Sequence, residues 1–181
     1  DESRELEIGP DTLVYVPAGV AHTFAATGDE AHVLELRIPG ASGDTVVREV
    51  ATAETVEVSG NRIAFLLDAE ETGGAVGAIE FLAPRAFAGP PPHLHRRMHD
   101  VAVVLEGALA FQLGDETGTA GPGELLLAPR GVAHTFSNPS DAPLRFLNLY
   151  VPGGFERFFR ERAAATAAGV EFTSRYDWER A

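Results

Sequence analysis

His93 and His95, separated only by Leu94, sit in the stretch GPPPHLHRRMHDVAVVLEG (89–107), and His134 follows the turn of PRGVAHTF (129–136). Residues two apart on an extended strand point to the same face. His93 and His95 can therefore aim two ring nitrogens at one point. His134, from another strand, could supply a third nitrogen, and Asp100, after a short loop, an oxygen. Three imidazoles and a carboxylate suit one divalent transition metal ion (Fe, Mn, Ni, Cu or Zn) and suit a hard ion such as Ca poorly. Taken singly, each histidine reads as a surface or hydrogen-bonded core residue. The set carries the metal reading.

The turn that presents His134 occurs twice. PAGVAHTF (17–24) is nearly the same octapeptide as PRGVAHTF, and GPDTLVYVP before it matches GPGELLLAP. Downstream, VLELRIPG (33–40) matches FLNLYVPG (146–153), and at the start DESRELEIGP (1–10) parallels DETGTAGP (115–122). This is an internal repeat. The first copy has no counterpart to what the second holds between about residue 56 and Gly114. His22 occupies the place of His134 without companions, and Ala26 stands where the second copy has Asn138. His22 is therefore expected to be an orphan, and His32, in a strand outside either motif, an exposed or edge residue. The sole methionine is Met98, so the natural start of the chain is expected to lie upstream.

Positioning such a ligand set takes strands. TLVYVP, HVLELRIP, RIAFLL, AVGAIEFLAP, VAVVLEG, ALAFQLGD and LRFLNLYVP are apolar runs of strand length, punctuated by GP, GD, NP and PG. Many short strands without intervening helices imply a sandwich or closed barrel. Gly107, Gly123 and Gly131 read as turn residues with positive φ. One helix is expected near the end, in GGFERFFRERAAATAAG (153–169), with Phe155, Phe158, Phe159 and Ala163 on its packing face and Gly169 as its cap. The stretch 41–55 reads as a polar connection.

Composition narrows the function. The 181 residues carry 14 basic and 27 acidic side chains, a net charge of −13. That sign disfavours nucleic acid. No apolar run approaches the roughly 20 residues of a membrane helix. The absence of Cys removes disulfides, zinc–thiolate sites and cysteine nucleophiles.

The spacing His93-x-His95-x4-Asp100-x6-Gly107, followed by Gly123-x5-Pro129-x-Gly131-x2-His134-x3-Asn138, resembles the two signature motifs of the cupin superfamily. The second motif matches at every position. Within that superfamily the chain resembles the quercetin 2,3-dioxygenase-like bicupins. The resemblance implies an all-β fold: a cupin jelly-roll (double-stranded β-helix) barrel with a C-terminal helix, preceded by half of a second cupin barrel. The implied domains are residues 1–44, the C-terminal half of a first cupin unit; 45–154, a complete cupin barrel; and 155–181, the C-terminal helix and tail.

The resemblance also implies chemistry. His93, His95, Asp100 and His134 would hold the metal, with Asp100 as catalytic base. The activity would be oxygenation of a flavonol or similar aromatic enol. Alternatives are a non-catalytic small-molecule-binding or sensor cupin and a metal-dependent isomerase. Two positions depart from the family pattern: Asp100 stands where Glu is usual, and Phe87 where Gly is usual. The shorter acid leaves His99 as an alternative fourth ligand. Arg96 and Arg97 read either as a solvated loop pair or as contacts for an anionic substrate, and Phe111 and Phe136 either as cavity lining or as core. The expected partner is a small molecule rather than nucleic acid or membrane, homo-oligomerisation is left open, and the expected compartment is the cytoplasm.

Overall fold

Thirteen short strands and one α-helix make up the chain in a computed structural model that describes residues 5–39 and 41–181. The DESR run that opens the first repeat and Gly40, the counterpart of Gly153, lie outside the described residues. The strands are β1 (Thr12–Tyr15), β2 (Val46–Glu49), β3 (Thr55–Val58), β4 (Asn61–Leu67), β5 (Gly77–Ala83), β6 (His93–Leu94) and β7 (His99–Glu106). There follow β8 (Leu109–Leu113), β9 (Glu116–Ala120), β10 (Leu125–Ala128), β11 (His134–Ser137), β12 (Leu144–Val151), α1 (Glu156–Ala168) and β13 (Glu179–Arg180).

Two sheets form the barrel. One has the order β10-β7-β12-β5-β4-β3 and the other β13-β6-β11-β8-β9, and every pairing is antiparallel. Ile63, Phe65, Ile79, Phe81, Val104 and Phe146 fill the space between the sheets. Phe81 stacks on Phe146 at 5.0 Å and meets Phe136 edge-on at 5.8 Å, both favoured aromatic arrangements. The outer face of the larger sheet is also buried in part: Ala64, Leu66, Ala78, Val103 and Leu149 pack beneath Tyr15 and Val50. Continuous apolar runs such as RIAFLL suit strands covered on both faces.

The turns follow the glycines. Gly107, Gly123 and Gly131 have φ of 83°, 83° and 81°. At Gly107 a Cβ would stand 2.6 Å from the carbonyl oxygen of Pro143, so both conformation and space demand glycine. Phe87, the residue found where a glycine was expected, packs against Phe81 and Phe136. The close approach falls two residues later, at Gly89, where a Cβ would lie 1.8 Å from the Phe136 carbonyl oxygen.

The expected helix is α1, and Gly169 caps it with φ 67°. Phe155, Phe158, Phe159 and Ala163 join the interior cluster. The fully buried Glu156 carboxylate accepts from the backbone of Ala69 at 3.0 Å and Gly154 at 2.7 Å, which seats the helix on the barrel. Arg160 adds an ion pair to Asp68 at 2.6 Å and lies 3.7 Å over the Phe65 ring. No helix among the described residues is long and apolar enough to cross a membrane.

Two expectations need correction. The stretch 41–55 is not merely a polar connection: it forms β2 and a 3-10 turn at Val50–Thr52, and Val50 is buried. HVLELRIP does not form a strand. Val33, Leu34 and Leu36 are 63%, 53% and 40% exposed, whereas Phe146 and Leu149, their counterparts in β12, are 0% and 7% exposed for Val33 and Leu36 respectively. β12 is held between β5 and β7, whereas among the described residues no strand flanks 32–39 in that way. Without ladder partners the same apolar pattern forms no strand. Of the first repeat, only β1 becomes a strand among the described residues, and it pairs with β2.

Candidate metal centre

β6 and β11 pair with His93 directly opposite His134. His95 lies just past β6, on the side of His93 as the two-residue spacing requires. Ring centroids stand 4.5 Å apart for His93 and His134, 5.1 Å for His93 and His95, and 5.3 Å for His95 and His134. One nitrogen of each ring lies within 4.8 Å of the others. All three residues are buried, at 4%, 1% and 7% exposure in chain order.

Each ring has one nitrogen committed. His93 Nδ1 meets the Pro91 carbonyl at 3.0 Å, His134 Nδ1 meets the Val132 carbonyl at 3.0 Å, and His95 Nδ1 meets the Asp177 carbonyl. A carbonyl only accepts, so each Nδ1 carries the proton and each Nε2 is left with its lone pair. Nε2 of His95 and of His134 is buried without a hydrogen-bond partner among the described residues. A buried polar atom left unsatisfied costs about 1–3 kcal/mol, and two of them face a common point. Neutral imidazoles whose other nitrogen is held by a carbonyl are the form in which histidine binds a metal. The donor set fits a transition metal ion.

Asp100 joins them from β7. Its Oδ2 lies 3.6 Å from His134 Nε2 and 3.8 Å from His95 Nε2. Ligand atoms about 2.0–2.2 Å from a shared ion stand roughly 3.0–3.6 Å from one another, so a small movement would bring the carboxylate into such a set. Asn148 donates from Nδ2 to Asp100 Oδ1, and Tyr150 donates its hydroxyl to Asn148 Oδ1 at 2.8 Å. His99, the neighbouring residue on β7, has a buried Nδ1 without a partner. It contributes no nitrogen to the three-histidine group, and alternation along the strand turns it away from the face of Asp100.

Electrostatics favours the neutral form in two of the three rings. Burial, followed by the charge of His134, lowers the His93 pKa to about 4, and burial above all lowers that of His95. His134 is also buried, yet the Asp100 carboxylate 3.6 Å from its Nε2 outweighs that and raises its pKa.

A narrow cavity of about 40 Å³ opens beside this group. Asp100, His134 and Asn148 form its polar side, and Phe111, Phe136 and Phe146 are among its apolar walls. Phe111 and Phe136 thus line the cavity, while Phe136 also packs into the core. Such a space holds two or three water molecules.

The other candidates separate cleanly. His22 is exposed, and among the described residues its ring bonds only to the Val20 carbonyl, at 2.9 Å. His32 is exposed beside Glu30. Arg96 pairs with Glu179 at 2.6 Å and Arg97 reaches Asp177 at 3.9 Å, so both serve the C-terminal tail. Asn148, Tyr150 and Asp177 were not among the expected site residues. Asn148 could have been suspected, as a lone amide inside the apolar run FLNLY. Asp177 carried no local signal, because its partner is His95, far back in the chain.

Residues 79–150 match the family model described as a cupin domain. No curated protein matches the chain. Among solved structures, a predicted oxalate decarboxylase from Thermotoga maritima superposes with a TM-score of 0.54 at 16% identity, covering 57% of this chain and 96% of its own. KdgF from Halomonas sp. superposes at 0.51 with 20% identity, over 57% of this chain and 92% of its own. The polyketide cyclase RemF from Streptomyces resistomycificus superposes at 0.50 with 27% identity, over 57% and 77%. The architecture is a cupin jelly roll, and its cupin-domain match at 79–150 contains all of His93, His95, Asp100 and His134.

Proposed function

We propose that the protein is a metal-dependent cupin enzyme, with one divalent transition metal ion held by His93, His95 and His134. Asp100 is the carboxylate at the cavity side, fourth ligand of the ion and acceptor of a substrate proton. The observation that carries this reading is the pair of buried, unpartnered Nε2 atoms of His95 and His134. A bound ion of this class supplies Lewis acidity and, for redox-active metals, chemistry with dioxygen. The chain supplies the rest. Asn148 and Tyr150 hold the Asp100 carboxylate toward the histidines, and Phe111, Phe136 and Phe146 give the cavity an apolar wall.

The reaction class we favour is oxygenation of an enol, as in the quercetin 2,3-dioxygenase-like proteins. Pockets for drug-sized ligands measure about 300–1,000 Å³, far above the 40 Å³ present here. Compact enols are therefore expected to react in preference to a three-ring flavonol. A non-oxidative reading is favoured by the 27% identity to a polyketide cyclase.

Oxygen uptake decides between them. Protein loaded in turn with Fe, Mn, Ni and Cu is offered a flavonol and a panel of compact enols. Asp100→Glu, which extends the acid by one methylene toward the usual family side chain, is measured beside it. Uptake with a compact enol, weak or absent uptake with the flavonol, and a gain in Asp100→Glu support the oxygenase. If neither protein consumes oxygen with any metal while small molecules still bind at micromolar levels, the protein is a binder or a non-oxidative enzyme.

A further inference from the structure

Each histidine of the centre needs an acceptor for its Nδ1 proton, and the three obtain it differently. His93 and His134 use carbonyls two residues back in their own turns, those of Pro91 and Val132. Among the described residues, His95 makes no such local bond. Its Nδ1 meets the carbonyl of Asp177, which reaches it from beyond α1.

The tail is fastened where it does this. The Asp177 carboxylate accepts from the backbone N–H of Arg96 at 3.0 Å and of Arg97 at 2.6 Å. These are the two residues that follow His95. β13 then pairs with β6, setting Arg180 opposite His93, and the Ala181 N–H donates to the Pro92 carbonyl at 3.0 Å. Trp178 lies nearly parallel to the His93 ring at 5.6 Å. One short segment thus touches the strand of two ligands, the proton of one and the ring face of the other.

We infer that Asp177 is a positioning residue for the metal centre: its carboxylate clamps the tail to Arg96 and Arg97 so that its carbonyl fixes the tautomer and orientation of His95. This rests on the metal reading above. With the carbonyl in place, His95 presents Nε2 as a lone pair. Without it, the ring is free to move its proton to Nε2, where it blocks coordination.

Two measurements on the full chain test this. The first is 15N NMR of the imidazoles in metal-free protein near neutral pH, where wild type should show His95 as a single Nδ1–H tautomer. Asp177→Ala should show a mixture, and Asp177→Asn, which keeps one acceptor oxygen, should restore most of the wild-type signal. The second is cobalt affinity by chelator competition. Loss of an outer-shell partner weakens metal binding about 10- to 100-fold, so Asp177→Ala should fall in that range and Asp177→Asn should recover part of it. A purely structural tail would lower the melting temperature of both variants without changing tautomer or cobalt affinity. Should Asp177→Ala prove poorly folded, Glu179→Gln loosens the same tail at its exposed Arg96 pair and should give a smaller shift of the same sign. Unchanged tautomer and affinity in a folded Asp177→Ala protein overturns the inference and leaves the metal reading standing. Wild type that binds no cobalt overturns both.

Discussion

Asn148 Nδ2 donates to Asp100 Oδ1, and the other oxygen, Oδ2, is thereby left facing His134 Nε2 at 3.6 Å. The amide has no freedom to do otherwise. Its oxygen receives the Tyr150 hydroxyl at 2.8 Å, and its NH2 also reaches the Val101 carbonyl at 3.2 Å. A buried amide satisfied on both ends is a rigid support for the acid beside it.

Removing that support should be felt at the metal. In Asn148→Ala, Asp100 loses its fixed orientation while the three histidines remain. Metal affinity is expected to fall about tenfold, read by chelator competition. Asn148→Asp should fall further, because it sets a second carboxylate against Asp100. Affinity equal to wild type in both variants would show that Asp100 is not part of the ligand set.

Acid sensitivity should follow His93. Its folded pKa is about 4 against an ordinary 6.5, lowered by burial and then by the charge of His134. Between those values the unfolded chain binds a proton that the native protein refuses, so stability falls as pH drops through this window. His95, lowered chiefly by burial, acts with the same sign. His134 opposes them: its raised pKa contributes stability at low pH that is lost as pH climbs through its folded value. In metal-free protein, His93→Gln should flatten the decline of melting temperature between pH 6.5 and 4. An unchanged slope would assign the acid sensitivity to other groups.

Arg145 should matter far from the centre. It lies on β12 and bonds Glu80 at 2.8 Å, Glu106 at 2.5 Å and Asp11 at 3.1 Å, and the Glu80 side chain is 2% exposed. Arg145→Ala leaves that carboxylate buried without its partner, an arrangement that costs about 3–5 kcal/mol. Urea unfolding should show a loss of this size, with metal affinity unaffected. Arg145→Ala with Glu80→Gln should recover much of it, since no uncompensated charge is then buried.

Much of the histidine group is legible in the sequence. HLH on an extended segment puts two rings on one side because side chains alternate along a strand, and this needs no knowledge of the fold. The octapeptide turn is also local. Gly19 and Gly131 have φ of 85° and 81°, and Val20 and Val132 donate back to Pro17 and Pro129 at 3.4 Å and 3.1 Å. His22 and His134 even make the same Nδ1 contact, to Val20 and Val132. Short-range sterics and hydrogen bonds build this turn twice from one sequence.

What becomes of the turn is decided by partners distant in the chain. His134 meets His93 because β8 and β6 flank β11, whereas His22 has no such neighbours and stays in solvent. VLELRIP remains unpaired for the same reason, although its apolar pattern matches that of β12. The support of Asp100 by Asn148 and the return of Asp177 to His95 depend on sheet register and on the path of the chain after α1. Spacing within a motif encodes which side chains can share a face. The ladder partners that bring faces together, and the tail that fastens one of them, come from contacts across the barrel that no single stretch of sequence contains.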